Sequence, residues 1–266
     1  MSPDNPIGVF DSGVGGLSVL REIRRLLPHE ELLYVADSAH VPYGDKSREF
    51  IEARAIAISE FFIQQQAKAI VVACNTATSA AVEALRARFD LPIIAMEPAI
   101  KPAAEQSRSR VIGVLATSGT LKSERFANLH ARHGNGVEII VQPCPGWVEL
   151  VESGDLGSSN AQALVSRYVT PLIEKGADTL VLGCTHYPFL RALIQAIAGA
   201  DVTIIDPSPA VARELHRRLQ QQQLLNPGSG AGSERFWSSG DPARVVALLS
   251  LLWSGVVEVK PLPRVC

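Results

Sequence analysis

No part of this chain concentrates charge of one sign. Its 266 residues carry 25 Lys and Arg against 27 Asp and Glu, scattered along the sequence, for a formal net charge of −2. That balance gives no electrostatic footprint for a nucleic acid, and none is expected as a partner. Long apolar runs are also missing. The longest near the C-terminus, Val245 to Trp253, is broken by Ser250 and is too short to cross a bilayer, so no membrane association is expected. Cysteine is scarce: Cys74, Cys144, Cys184 and Cys266, with no CxxC spacing among them. This argues against a thiolate metal knuckle or a CxxC redox pair, and for free thiols rather than a disulfide framework. No second His, Asp or Glu stands at ligand spacing from His186, so no metal is expected. Met1 to Pro6 show neither a basic stretch nor an apolar one. The expectation is no secretory signal and a cytoplasmic location.

What is present is regular alternation. Ile7-Gly8-Val9-Phe10, Leu32 to Val35, Ala69 to Ala73 and Pro92 to Ala95 read as strands. Between them, Gly16 to Leu27 places Leu17, Leu20, Ile23, Leu26 and Leu27 at helical spacing, and Arg48 to Gln66 reads as a long helix. Continuous apolar strands separated by helices predict an α/β fold whose parallel sheets are covered on both faces. The pattern then restarts. Arg110 to Leu115 resembles Ile7 to Phe10, and Thr179 to Leu182 resembles Ala69 to Val72. We read two pseudo-symmetric α/β domains with mostly parallel central sheets and the active site in the cleft between them. Residues 1–97 plus 207–266 form the first, and 98–206 form the second. Asn226 to Ser233, rich in Gly and Ser, reads as flexible. The strand-like Arg235 to Trp237 and helix-like Pro242 to Trp253 are expected to pack back on the first half.

Chemistry-bearing residues gather at strand ends. Cys74 follows one apolar run and Cys184 another, each ahead of a helix-like segment, where open α/β sheets place their ligands. A helix N-terminus there can lower a thiol's pKa and let it exchange a proton. Cys144 and Cys266 read as small buried hydrophobes. Asp11-Ser12-Gly13-Val14-Gly15-Gly16 is neither a dinucleotide fingerprint nor a Walker A loop. It can still cradle an anion on its backbone N–H groups. His186 reads as a hydrogen-bonded orienting residue and Glu152 as a carboxylate at a helix end. In the loop Ser38 to Gly44, Tyr43 is placed to donate a hydrogen bond into a cleft. Thr117, Ser118 and Thr120 can do the same from the second half, or cap the helix that follows.

Four segments together resemble the glutamate racemases of the aspartate/glutamate racemase superfamily: Ile7 to Gly16, Ala36 to Gly44, Ala73-Cys74-Asn75-Thr76-Ala77, and Leu182-Gly183-Cys184-Thr185-His186-Tyr187-Pro188. The resemblance runs from about Ile7 to Ser239-Gly240-Asp241-Pro242. It implies interconversion of L- and D-glutamate without a cofactor, supplying D-glutamate for peptidoglycan. It implies Cys74 and Cys184 as the two proton donor/acceptors, Asp11 assisting Cys74, and His186 with Glu152 assisting Cys184. Substrate contacts would come from Asp11, Ser12, Tyr43, Gly44, Asn75, Thr76, Thr117, Thr120, Thr185 and His186. Glutamate would be the small-molecule partner, and the chain a homodimer or in monomer–dimer equilibrium. The segment Cys144 to Val148, which leads to Glu152, departs from the family pattern at Gly146-Trp147.

Three other readings stay open on the residues alone. One is a racemase of the same superfamily acting on aspartate or another amino acid. Another is a binding protein whose thiols have lost their role. The last is a cysteine hydrolase, which needs one thiol with a dedicated histidine base.

Overall fold

The computed structural model describes residues 1–133 and 136–263. Cys266 lies outside the described residues. Among the described residues there are ten strands: β1 (Ile7–Asp11), β2 (Leu32–Ala36), β3 (Ala69–Val72), β4 (Ile93–Ala95), β5 (Val111–Ala116), β6 (Glu138–Pro143), β7 (Thr179–Gly183), β8 (Thr203–Ile205), β9 (Glu234–Ser238) and β10 (Val259–Pro261). They form two sheets, a six-stranded β10-β9-β2-β1-β3-β4 and a four-stranded β6-β5-β7-β8. Every strand pair is parallel.

The α/β architecture follows from the sequence pattern. β1, β2, β3 and β7 are buried along their whole length, as strands covered on both faces must be. The sequence repeat has its counterpart in topology. β2-β1-β3-β4 and β6-β5-β7-β8 run in the same order, so β1 corresponds to β5 and β3 to β7. In such an order the connections leave β1 and β3 toward opposite sides, which opens a crevice at their C-terminal ends. The same holds at β5 and β7.

β9 and β10 extend the first sheet beyond β2, so the C-terminal stretch packs against the first half. The segment Asn226 to Ser233, expected to be flexible, is tied down. Asn226 N donates to Glu30 Oε1, Gly232 N to Pro28 O, and Ser233 N to Glu31 Oε1. Beneath this contact Glu30 pairs with Lys68, both inaccessible to solvent. Glycine content alone suggests a loose linker, but backbone bonds to a buried ion pair override it. Cys144 is buried in the core, where its thiol donates to Gln142 O.

Candidate active site

Both thiols sit where the two crevices meet. Phe10 pairs with Val72, and Ala73 N donates to Phe10 O, so Asp11 and Cys74 emerge side by side from β1 and β3. Ala116 pairs with Gly183, so Thr117 and Cys184 emerge side by side from β5 and β7. Cys74 caps the helix Asn75–Arg88, its sulfur accepting from Ala77 N at 3.4 Å. Cys184 precedes a turn that leads into the 3-10 helix Tyr187–Leu190. Both sulfurs line one narrow cavity, together with Ser12, Asn75, Thr76, Thr117, Thr185 and His186.

The two halves grip each other reciprocally across this cavity. The residue just past Cys184 reaches the strand end of the first half: Thr185 Oγ1 donates to Asp11 Oδ2 at 2.9 Å. The residue two past Cys74 reaches the strand end of the second: Thr76 Oγ1 and Thr117 Oγ1 lie 3.0 Å apart. Thr120 Oγ1 completes a triangle of hydroxyls with both threonines.

The surroundings of the thiols differ. Glu152 Oε1 is 2.7 Å from His186 Nε2, and His186 Nδ1 is 3.8 Å from Cys184 Sγ. Burial by itself would push the His186 imidazole down. Hydrogen bonds to Cys184 and Glu152, with the nearby charge of Asp11, instead hold it well above the ordinary histidine range. Cys74 contacts Ser12 Oγ at 3.9 Å, and burial followed by the Asp11 charge pushes its thiol up. Asp11 itself is fully buried, which raises its carboxyl. Its oxygens accept from Gly13 N and Thr185 Oγ1, and among the described residues no hydrogen bond joins it to Cys74.

Glu152 arrives by an unusual local route. Gly146 has φ +87°, a backbone state that favours glycine, and opens the helix Trp147–Glu152. This turns Trp147 into the core, where its ring meets Tyr187 edge-on at 4.8 Å. Tyr187 follows His186 directly, so one aromatic contact aligns the carboxylate's helix with the imidazole it holds. Gly146 and Trp147 thereby orient the helix that carries Glu152.

The N–H groups of the glycine-rich turn are taken up by the protein's own carboxyl groups. Val14 N donates to Glu152 Oε1 and Gly13 N to Asp11 Oδ1. Tyr43 requires a correction. It lines the cavity with Pro42 and Gly44, but its hydroxyl donates to Asp37 Oδ2 at 2.5 Å and is not free to point at a ligand. Glu152 stands behind His186 and does not line the cavity, and Thr120 stands behind Thr117 and Thr76. Asn75 is buried at the cavity wall, and neither of its amide atoms has a hydrogen-bond partner. A buried amide left open in this way is suited to a polar ligand. Among the described residues no cluster of His, Cys, Asp and Glu could hold a metal, and no helix is long and apolar enough to cross a membrane.

Comparison with known proteins agrees with this geometry. The family model described as Asp/Glu/Hydantoin racemase matches residues 7–215. A glutamate racemase of Methylococcus capsulatus is 60% identical over 261 residues, covering 98% of this chain and 96% of its own. Among solved structures, glutamate racemase isoform RacE1 of Bacillus anthracis superposes with a TM-score of 0.87 at 33% identity, covering 98% of each chain. The glutamate racemase of Francisella tularensis in complex with D-glutamate gives a TM-score of 0.85 at 30% identity, again over 98% of each. The family model spans most of the sequence and the relatives match nearly all of it: this chain belongs to the Asp/Glu/Hydantoin racemase family.

Proposed function

We propose that this protein interconverts L- and D-glutamate by moving the α-proton between two thiols, and so supplies D-glutamate for peptidoglycan in the cytoplasm. The observation that carries the reading is the pairing of Cys74 and Cys184 at corresponding strand ends, both open to one small cavity. Inverting a carbon requires a proton to leave one face and another to arrive on the opposite face. One base cannot reach both. A thiolate on one side takes the α-proton and becomes a thiol, the bond electrons staying on a flattened carbon. The thiol opposite then gives its proton to the other face and becomes a thiolate. Each such transfer contributes roughly 10²–10⁴-fold. The rest must come from oriented donors and exclusion of water. Asn75, Ser12 and Thr76 line the cavity with the two sulfurs and carry groups that can donate there. His186, backed by Glu152, supplies a proton-bearing neighbour for Cys184.

The identity of named relatives favours glutamate over aspartate. The test is circular dichroism of metal-free, pyridoxal-phosphate-free protein supplied with each pure enantiomer. Optical activity of L- and D-glutamate should decay to zero without additions. Decay with L-aspartate but not L-glutamate would move the assignment to the aspartate racemases. A requirement for pyridoxal phosphate would remove the two-thiol reading.

A further inference from the structure

Tyr43 turns its hydroxyl toward Asp37, and Asp37 in turn is held by Arg54. Asp37 follows β2 directly and is inaccessible to solvent. Arg54, on the helix Arg48–Gln64, grips both carboxylate oxygens: Nε to Oδ2 at 3.0 Å and Nη2 to Oδ1 at 2.7 Å. The Tyr43 hydroxyl takes the remaining position on Oδ2. A two-pronged guanidinium fixes a carboxylate in plane as well as in place. The direction of the Tyr43 ring is thereby set from outside the cavity. Hydrogen bonds from Arg54, Ser239 and Tyr43 outweigh burial and keep the Asp37 carboxyl below its ordinary range, so it stays an anion.

The consequence falls on one wall. Pro42, Tyr43 and Gly44 line the cavity, and Gly44 lies against Thr117 of the opposite half, where a Cβ would stand 3.4 Å from the Thr117 Cβ. Among the described residues the second half has no matching clamp. Register puts Cys144 after β6 where Asp37 follows β2, and Cys144 is held by Gln142 O and Tyr187. The wall facing Thr117 is therefore fixed from the first half alone.

We infer that Arg54 and Asp37 are positioning residues for substrate: acting through Tyr43, they hold the Pro42–Gly44 wall in the geometry that binds the amino acid, without touching it. The inference rests on the racemase reading for its ligand, not for its geometry. Three variants test it: Arg54→Lys, which keeps charge and loses the fork, Tyr43→Phe, which removes one hydroxyl, and the two combined. Each single variant should raise KM for both glutamate enantiomers about tenfold, the equivalent of one hydrogen bond, with kcat within about threefold. The double variant should be no worse than the poorer single one, because both break one chain of contacts. Hydrogen exchange should quicken at Tyr43 to Lys46 and stay unchanged along β7. This readout needs no activity, and it stands even if the parent protein fails to racemise glutamate. Unchanged KM, multiplying effects in the double variant, or unaltered exchange at Tyr43 to Lys46 would each overturn the inference. A fall in melting temperature with KM and local exchange unaltered would assign the trio to stability alone.

Discussion

The turn that holds Glu152 also sets the position of His186, and one methyl group tests how tightly. Gly15 has no positive φ, so alanine there meets no backbone strain. Its Cβ, however, would stand 2.3 Å from His186 Nδ1, about 1.1 Å short of ordinary contact at 3.4 Å. The neighbour that must yield is the nitrogen facing the Cys184 sulfur. The ring cannot retreat freely, because Nε2 is held by Glu152 and the residue is 1% exposed. Displacement of about 1 Å in a catalytic group can cost on the order of 10²-fold. Overpacking of this size costs about 1–3 kcal/mol in stability. Gly15→Ala should therefore fold, melt several degrees lower, and lose on the order of 100-fold in kcat/KM. The assay is polarimetric racemisation with either enantiomer beside a thermal melt. Gly157→Ala is the control, since no atom lies within 4 Å of its Cβ and its φ is not positive. Rates for Gly15→Ala within about threefold of the parent would refute the placement of His186 against the turn.

Further outcomes follow from other contacts. Cys74→Ser and Cys184→Ser should each abolish racemisation, because a hydroxyl is far too weak an acid to serve; near-normal turnover in either variant would contradict two bases. Asn75→Ala should raise KM about tenfold with an unchanged melting temperature, since the amide has no protein partner to lose; binding isotherms and a melt separate the two effects. Asp178 accepts from Ser107 Oγ, Arg108 N, Ser109 N and Thr179 Oγ1, and despite some burial these bonds lower its pKa to about 2. A depressed carboxylate stabilises the fold above its unfolded pKa and loses that contribution as pH falls through the folded value. In urea titrations Asp178→Ala should be less stable by about 1 kcal/mol at neutral pH, discounted for surrounding solvent, and the gap should narrow between about pH 4 and pH 2.

The parts of this design written locally were the parts readable from sequence. Ala69 to Val72 and Thr179 to Leu182 are continuous apolar runs, and each thiol takes its place from the strand before it. β6 has only the short run Ile139-Ile140-Val141, because it lies at a sheet edge where its residues are exposed or half-covered. Tyr43 was found as a lining residue but misread in direction, since its hydroxyl answers to Arg54 on another element. Asn226 to Ser233 was misread as loose because its anchors, Pro28 to Glu31, lie about two hundred positions away. The bond from Val14 N to Glu152, which joins the two halves, likewise leaves no trace in either segment.

The unequal helpers of the two thiols have a thermodynamic limit. L- and D-glutamate are mirror images, so their equilibrium constant in water is one, and kcat/KM must be equal in the two directions whatever the protein does. Asymmetry can only redistribute the barrier between the two proton transfers and divide each ratio differently into kcat and KM. Glu152→Gln keeps shape and removes the charge behind His186. Losing a charge-assisted bond of about 1.5–3 kcal/mol, if fully felt in the transition state, lowers kcat/KM by roughly 10–100-fold in both directions alike. The transfer at Cys184 then becomes the slower one. The α-deuterium isotope effect on kcat/KM should rise for the enantiomer deprotonated at Cys184 and fall for the one deprotonated at Cys74. Isotope effects that stay fixed, or that move together, would mean that Glu152 does not act through Cys184, and that the carboxylate–imidazole–thiol line serves the fold rather than the proton.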